Sequence, residues 1–341
     1  MKNTAVWIFW FLTTLVLIFF MQNPIYLIIF LLGLISLGYH LSEKDEKSTW
    51  LKKNLQFLAT IIFVSAFING LFTHSGKTVL FSFPDSWMLI GGSVTLESLT
   101  YGAINGITIC AIFLLFRVLN CALSVKQLTR LIPRALYPIG MIISISLTFF
   151  PSIQRRICEI KEAQMIRGNP MKKIRDWLPI LIPLLVSSLE NGIILSESMT
   201  SRGFYTRKTK NTPIFLIIGL IIGTFSIFSG WIFLIYDYPA YYYLPLFILG
   251  GIIIFFILRA LSIQIETTKY HQEKLSKNDF LFLVFNLTFV LIFSSFMIFG
   301  NPTSLSYSPF PAISFPKIEF IPIFLTFLTY LPIPLITYDH H

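Results

Sequence analysis

ALYPIGMIISISLTFF, residues 135–150, is apolar enough to cross a membrane, and whether it crosses decides how the whole chain is laid out. The stretch that follows carries Arg155, Arg156, Lys161, Arg167, Lys172, Lys173 and Arg175. Cations that flank spans are kept on the inner side of a membrane. If 135–150 crossed, this whole cluster would fall outside. The segment is also short for a span, has Pro138 near its start and stops at Pro151; a spanning helix needs about 20 apolar residues. It reads as a helix lying against, or just under, the membrane face.

The rest of the chain is mostly membrane. Hydrophobic residues make up 55 %, charged residues 12 %, Phe alone contributes 35 positions, and the mean hydropathy is +0.74, which excludes an ordinary soluble domain. Apolar runs at about 6–21, 24–38, 55–72, 101–119, 213–236, 243–261, 280–300 and 318–338 read as spans, the second being short for one. Lys2 before the first run superficially resembles a signal peptide. That run has no small-x-small cleavage site and leads straight into the next, so it reads as a retained helix. With the N-terminus inside, the inner segments hold Lys2, then Lys44, Lys47, Lys52 and Lys53, then every cation from Arg117 to Lys210, then Arg259, Lys269, Lys274 and Lys277. Only Lys77 and Lys317 fall outside. The net charge of +10 therefore reflects orientation in a lipid bilayer, not nucleic acid as a partner. The expected fold is an all-α polytopic membrane protein with about eight transmembrane helices and a cytoplasmic-side unit of long helices, both termini inside. Its parts are residues 1–119, 120–212, 213–261 and 262–341.

Within residues 121–212 three helices are expected, at about 124–131, 134–167 and 177–202. Pro151 bends the second by removing a backbone donor and crowding the preceding turn. Beyond Pro151 that helix turns amphipathic, with Ile153, Ile157, Ile160 and Met165 alternating with Arg155, Arg156, Glu159 and Lys161. In the third, Leu181, Leu184, Leu185, Leu189, Ile193 and Leu195 form a broad apolar face.

Both long helices end in the same pattern. Glu162-Ala163-Gln164-Met165-Ile166-Arg167-Gly168 is echoed 35 residues later by Glu197-Ser198-Met199-Thr200-Ser201-Arg202-Gly203. Glycine just past a helix takes the left-handed conformation cheaply. Arginine in the last turn interacts favourably with the helix dipole, by at most about 1 kcal/mol. One such ending is unremarkable; a matched pair suggests two plugs for two similar sockets. Acid and arginine five apart are poorly placed to pair on a helix, so each guanidinium can project forward, offering a planar fork of donors. Ala163, Ser198 and Ser201 are small enough for a partner groove to approach closely.

The paired endings resemble the Ala-Arg-Gly signatures of the transmembrane (T) component of energy-coupling factor transporters, the family that includes the cobalt-transport permeases. Similar too are LFTHSGKTVLF at 71–81, residues 91–102 with Thr95-Leu96-Glu97, Phe149-Phe150-Pro151, Pro183 in the third helix, and Ser201-Arg202-Gly203-Phe204-Tyr205. The resemblance spans roughly residues 5–260. It implies that two long coupling helices dock by Arg167-Gly168 and Arg202-Gly203, with Ala163, Ser198 and Ser201 alongside, into two ABC-type ATPases. A small substrate-binding membrane protein would sit on the apolar face formed by 138–150 and 181–195, including Met141, Ile142, Leu147, Leu181, Leu185 and Leu189. Two positions depart from the family pattern: Ile166 stands where alanine is usual, and Ser201 replaces alanine in the second copy.

The chain has no P-loop, Gly-rich dinucleotide turn or His/Cys metal cluster, so no cofactor or metal is expected and energy must come from partners. Cys110, Cys121 and Cys158 lack metal-ligand spacing and read as buried reduced thiols. Glu97 reads as a solvated or capping carboxylate in an external loop. Arg117 is expected to snorkel to the interface. Glu190 is expected to face the cytoplasm or pair with Arg175. The tyrosine-rich stretch 236–243 reads as an interfacial aromatic belt. Two rivals remain at this stage. A self-contained secondary transporter should show intramembrane charges and broken helices, and the spans are nearly free of ionisable residues. A membrane-embedded enzyme should cluster acids or histidines at one face, and here they are scattered.

Overall fold

The computed structural model describes residues 3–42, 47–83, 92–168, 177–203, 214–236, 239–264, 276–299, 304–330 and 332. The chain divides into two compact units, Met1–Leu128 together with His271–His341, and Thr129–Tyr270. Among the described residues seven helices are long and apolar enough to cross a membrane, and the protein is an all-α polytopic membrane protein.

The first unit is built around α1 (Thr4–Phe20), α2 (Pro24–Leu41) and α4 (Leu96–Ala122). Asn3 and Asn23 cap α1 and α2 by accepting the Ala5 and Ile25 amides, and Pro24 sits where the first turn needs no donor. Trp10, Tyr26, Phe30, Leu34, Leu114 and Leu115 are wholly buried between these helices. The span expected at 24–38 extends to Leu41 and is long enough to cross, whereas α1 has only 17 residues. The helix α3 (Lys47–Phe72) packs closely on α4. The close approach depends on Gly102 and Gly106, where a side chain would meet the Ser65 carbonyl at 2.7 Å and the Ile62 Cα at 2.9 Å. Ser65 Oγ uses the proximity to donate to the Gly102 carbonyl.

A small antiparallel hairpin, β1 (Val79–Phe83) with β2 (Gly92–Thr95), joins α3 to α4. It is the only sheet among the described residues, and the sequence did not announce it. Glu97 lies not in a loop but in the first turn of α4, only 1 % exposed, where its carboxylate accepts the backbone amides of Lys77 and Thr78. It is thus a capping carboxylate, as one of its two expected roles had it, but a buried one. Thr95 and Ser98 tie the same corner to the Ser75 carbonyl.

Two further pieces complete this unit. The helix α10 (Lys277–Phe299) packs on α1, with Phe20 and Phe293 in an edge-to-face pair at 5.7 Å. The span expected at 318–338 differs. Over its described residues it forms only the seven-residue α11 (Phe320–Thr326) and a 3-10 turn, Phe327–Tyr330. Pro332 has no amide with which to continue the helix onto the Leu328 carbonyl, and that carbonyl instead accepts the Trp10 indole N–H at 3.2 Å. Asn23 Nδ2 donates to the carbonyls of Ser304 and Lys317, and the Tyr330 hydroxyl to that of Ile29. The segment is thereby bonded to α1 and α2.

The short helix α5 (Val125–Thr129) runs up to the boundary, and the second unit opens with a 3-10 turn, Arg134–Leu136, leading into α6 (Tyr137–Ile166). After these come α7 (Leu178–Ser201), α8 (Ile214–Ile235) and α9 (Ala240–Gln264). Two packed pairs result, α6 with α7 and α8 with α9. The Ala135 amide donates to Ser262 Oγ, which holds the start of α6 to the end of α9. The helix α6 runs through Pro151, which withholds a donor from the Leu147 carbonyl. By length and composition α7 also qualifies as a span, with a mean hydropathy of 1.8; its expected place at the membrane face rests on the charge pattern alone.

The corner around Glu97 gives a direct test. Gly76 has φ +141°, and a Cβ there would lie 2.5 Å from Glu97 Oε2 and 2.8 Å from Thr95 Oγ1. Gly76→Ala should therefore lower stability by about 1–3 kcal/mol, visible as an earlier thermal transition of the detergent-solubilised chain. An unchanged transition would mean that the clasp is not rigid.

Candidate functional site

The two Arg-Gly endings sit at the C-termini of α6 and α7. The sequence stops each helix there because glycine alone takes the next backbone conformation without a penalty. Their geometries nearly coincide. Arg167 closes α6 with φ −78° and ψ 6°, and Arg202 closes α7 with φ −82° and ψ 6°. Gly168 and Gly203 follow in the left-handed region at φ 82° and 78°. Even the capping bonds correspond: the Gly168 amide donates to the Met165 carbonyl at 3.1 Å, and Gly203 to Thr200 at 2.9 Å. Each donor and each acceptor is shifted by the 35 residues of the sequence repeat.

Both arginines are exposed. Ile166, the bulky departure from the family pattern, is 87 % exposed beside Arg167. It is free to enter a partner or to hold one off. Around the second tip the hydroxyls are already occupied. Ser198 Oγ donates to the Leu195 carbonyl and Ser201 Oγ to that of Ser198. A groove could close over these serines without stranding an unpaired donor. Ala163, also exposed, presents the smallest surface on the first tip, and its carbonyl takes the Arg167 amide.

The expected apolar docking face is partly open. Ile142, Leu181, Leu185 and Leu189 are each more than half exposed, while Met141 and Leu147 are half-buried. Glu190 is exposed, in keeping with a solvated position. Its alternative partner Arg175 lies outside the described residues, as do Lys172, Lys173, Phe204, Tyr205 and residues 237–238 of the tyrosine-rich stretch. The cysteine reading needs correction. All three thiols are free, but only Cys110 is buried; Cys121 is in the last turn of α4 and Cys158 faces outward from α6. A bond that sequence reading did not single out joins the two helices: Arg156 Nη2 donates to Asn191 Oδ1 at 3.2 Å. The signal was present, because the two residues are themselves 35 apart.

The sequence also matches known proteins. Residues 2–213 match the CbiQ family, described as cobalt transport protein, and the chain belongs to that family. It is 32 % identical over 194 residues to the energy-coupling factor transporter transmembrane protein EcfT of Lactococcus lactis subsp. cremoris, covering 51 % of this chain and 68 % of that one. The protein of the same name from Bacillus selenitireducens is 27 % identical over 219 residues, 60 % of this chain and 76 % of the relative. That of Bacillus subtilis is 26 % identical over 194 residues, 51 % and 69 %. The matched family region takes in α1 through α7 and both tips; α8 to α11 lie beyond it.

Replacing a left-handed glycine by a β-branched residue costs about 1–2 kcal/mol. Gly168→Val should accordingly speed amide exchange in the last turn of α6 about tenfold, with α1 to α4 unaffected, and Gly203→Val should do the same for α7. Hydrogen-exchange mass spectrometry reads both, and equal protection in wild type and variant would contradict the cap assignment.

Proposed function

We propose that the chain is the transmembrane coupling component of an energy-coupling factor importer in the cell membrane of a prokaryote, with N- and C-termini in the cytoplasm. In this reading it is not itself an enzyme. Two ABC-type ATPases supply the energy, and a small membrane protein, the S component, captures a micronutrient: a vitamin, a vitamin precursor or a transition-metal ion. The observation that carries the reading is the duplicated tip. Two helices ending in the same cap, with exposed arginines in the same backbone setting, suit two related sockets.

Arg167 and Arg202 are the docking side chains. Each guanidinium would offer bidentate donors to a carboxylate or to backbone carbonyls in a groove of one ATPase. A desolvated contact of this kind is worth about 2–4 kcal/mol. Ala163, Ser198 and Ser201 keep the approach low, and Gly168 and Gly203 end each helix directly after the arginine. The S component would rest on the apolar face of Met141, Ile142, Leu147, Leu181, Leu185 and Leu189. Closure of the ATPase pair would move the tips relative to each other, and α6, which lacks a backbone bond at Pro151, with α7 would pass that movement to the face beneath the S component. Family membership and the transporter names of the relatives support this reading.

Co-purification from native cells in mild detergent tests it. Wild type should retain two ABC-type ATPases and a small membrane protein, whose identity names the substrate class. An Arg167→Ala/Arg202→Ala double variant should lose the ATPases while keeping its helical content. Arg202→Glu alone should abolish ATP-driven uptake. A wild-type chain that brings down no ATPase, or normal uptake by Arg202→Glu, would overturn the proposal.

A further inference from the structure

The 35-residue repeat does not end at the tips. Carried backwards, it pairs Arg156 with Asn191, the two residues that hydrogen-bond across α6 and α7 at 3.2 Å. A contact between equivalent positions of a repeat is what an approximate two-fold axis between the two helices would give. The burial pattern is consistent with this. Ser152 and Ser187, Ile160 and Leu195, and Gln164 and Met199 are repeat-equivalent pairs, and all six residues are half-buried. On each helix they fall on one stripe at helical spacing, together with Arg156 or Asn191. The flanking pairs, Arg155 with Glu190 and Cys158 with Ile193, are exposed on both helices.

Equal register has a mechanical consequence. From Arg156 to Arg167 is 11 residues, and so is the distance from Asn191 to Arg202. At 1.5 Å per residue each arm is about 16 Å long. Both internal prolines lie on the other side of the crossing, Pro151 five residues before Arg156 and Pro183 eight before Asn191. The arms themselves keep a proline-free backbone ladder, whereas the helical segments behind the crossing lack a bond where each proline sits.

We propose that the Arg156–Asn191 bond is the pivot of the coupling machinery, a positioning pair that fixes two equal lever arms so that movement at the tips is transmitted to the segments behind the crossing. The bond is charge-assisted and therefore stronger than a neutral one. It couples one side chain of each helix, whereas the remaining stripe supplies packing that can slide. The pair is half-buried and lies 11 residues before each tip arginine. This inference rests on the reading of the tips as ATPase-docking sites.

The test uses the full chain in complex with its co-purified partners, with uptake in cells and ATPase retention measured in parallel. Arg156→Leu and Asn191→Leu should each lower ATP-driven uptake tenfold or more while retaining the ATPases, since the tips are intact. The exchanged pair, Arg156→Asn with Asn191→Arg, restores the same bond across an approximate two-fold axis and should transport within about twofold of wild type. An exchanged pair as poor as the single variants, single variants that transport normally, or single variants that lose the ATPases would each overturn the pivot. Should a leucine variant fail to purify, Asn191→Asp carries the test. It keeps the acceptor and its shape, so uptake should be retained, and loss of uptake in an intact Asn191→Asp complex overturns the proposal. Failure of the underlying reading is distinguishable, because there wild type itself would retain no ATPase.

Discussion

A helix surface has one stripe to give to a given neighbour, and α6 and α7 give each other the same stripe of an internal repeat. That constraint organises the second unit. Because the inward faces correspond, the outward faces correspond as well, and the two C-termini emerge with equivalent side chains in equivalent settings. The glycine caps then fix the arginine backbones to within a few degrees of each other. No element of this depends on a catalytic group or a bound ion. It follows from spacing, from the conformational freedom of Gly168 and Gly203, and from one polar bond between Arg156 and Asn191.

The first unit solves a different problem. In lipid a backbone amide or carbonyl must find its partner inside the protein, and every break in a helix is a liability. At Leu328 the liability is met by the Trp10 indole, at Ser304 and Lys317 by the Asn23 amide, and at Ile29 by the Tyr330 hydroxyl. The non-helical stretch after α10 is thus stitched to α1 and α2, although it lies beyond the region that matches the family. The paired tips belong to the part of the chain that matches the family, and the stitched C-terminal segment lies outside that match.

Much of this was legible in the sequence, and where it failed the reasons are physical. Long apolar runs forced helices, because length and hydropathy leave no other arrangement in a bilayer. The tips were legible because an Arg-Gly helix ending has a specific cap chemistry and occurred twice. The hairpin at 79–83 and 92–95 was not, since its strands are only five and four residues long and polar in part. Glu97 was assigned to a loop because nothing in its neighbours announces the buried amides of Lys77 and Thr78. The run at 318–338 has the hydropathy of a span, but over its described residues it forms only a seven-residue helix and a 3-10 turn. Arg156 was visible only as one cation among seven; its partner becomes apparent when the repeat is followed eleven residues back from the arginine.

The central claim is that the two tips move relative to each other when the ATPases close. Spin labels at Met165→Cys and Thr200→Cys, both exposed and repeat-equivalent, in a chain whose Cys110, Cys121 and Cys158 have been replaced, would report their separation by pulsed electron–electron resonance in the assembled complex. The account predicts distinct distance distributions in the nucleotide-free and ATP-trapped states. The same distribution in both, in a complex that still hydrolyses ATP, would contradict it.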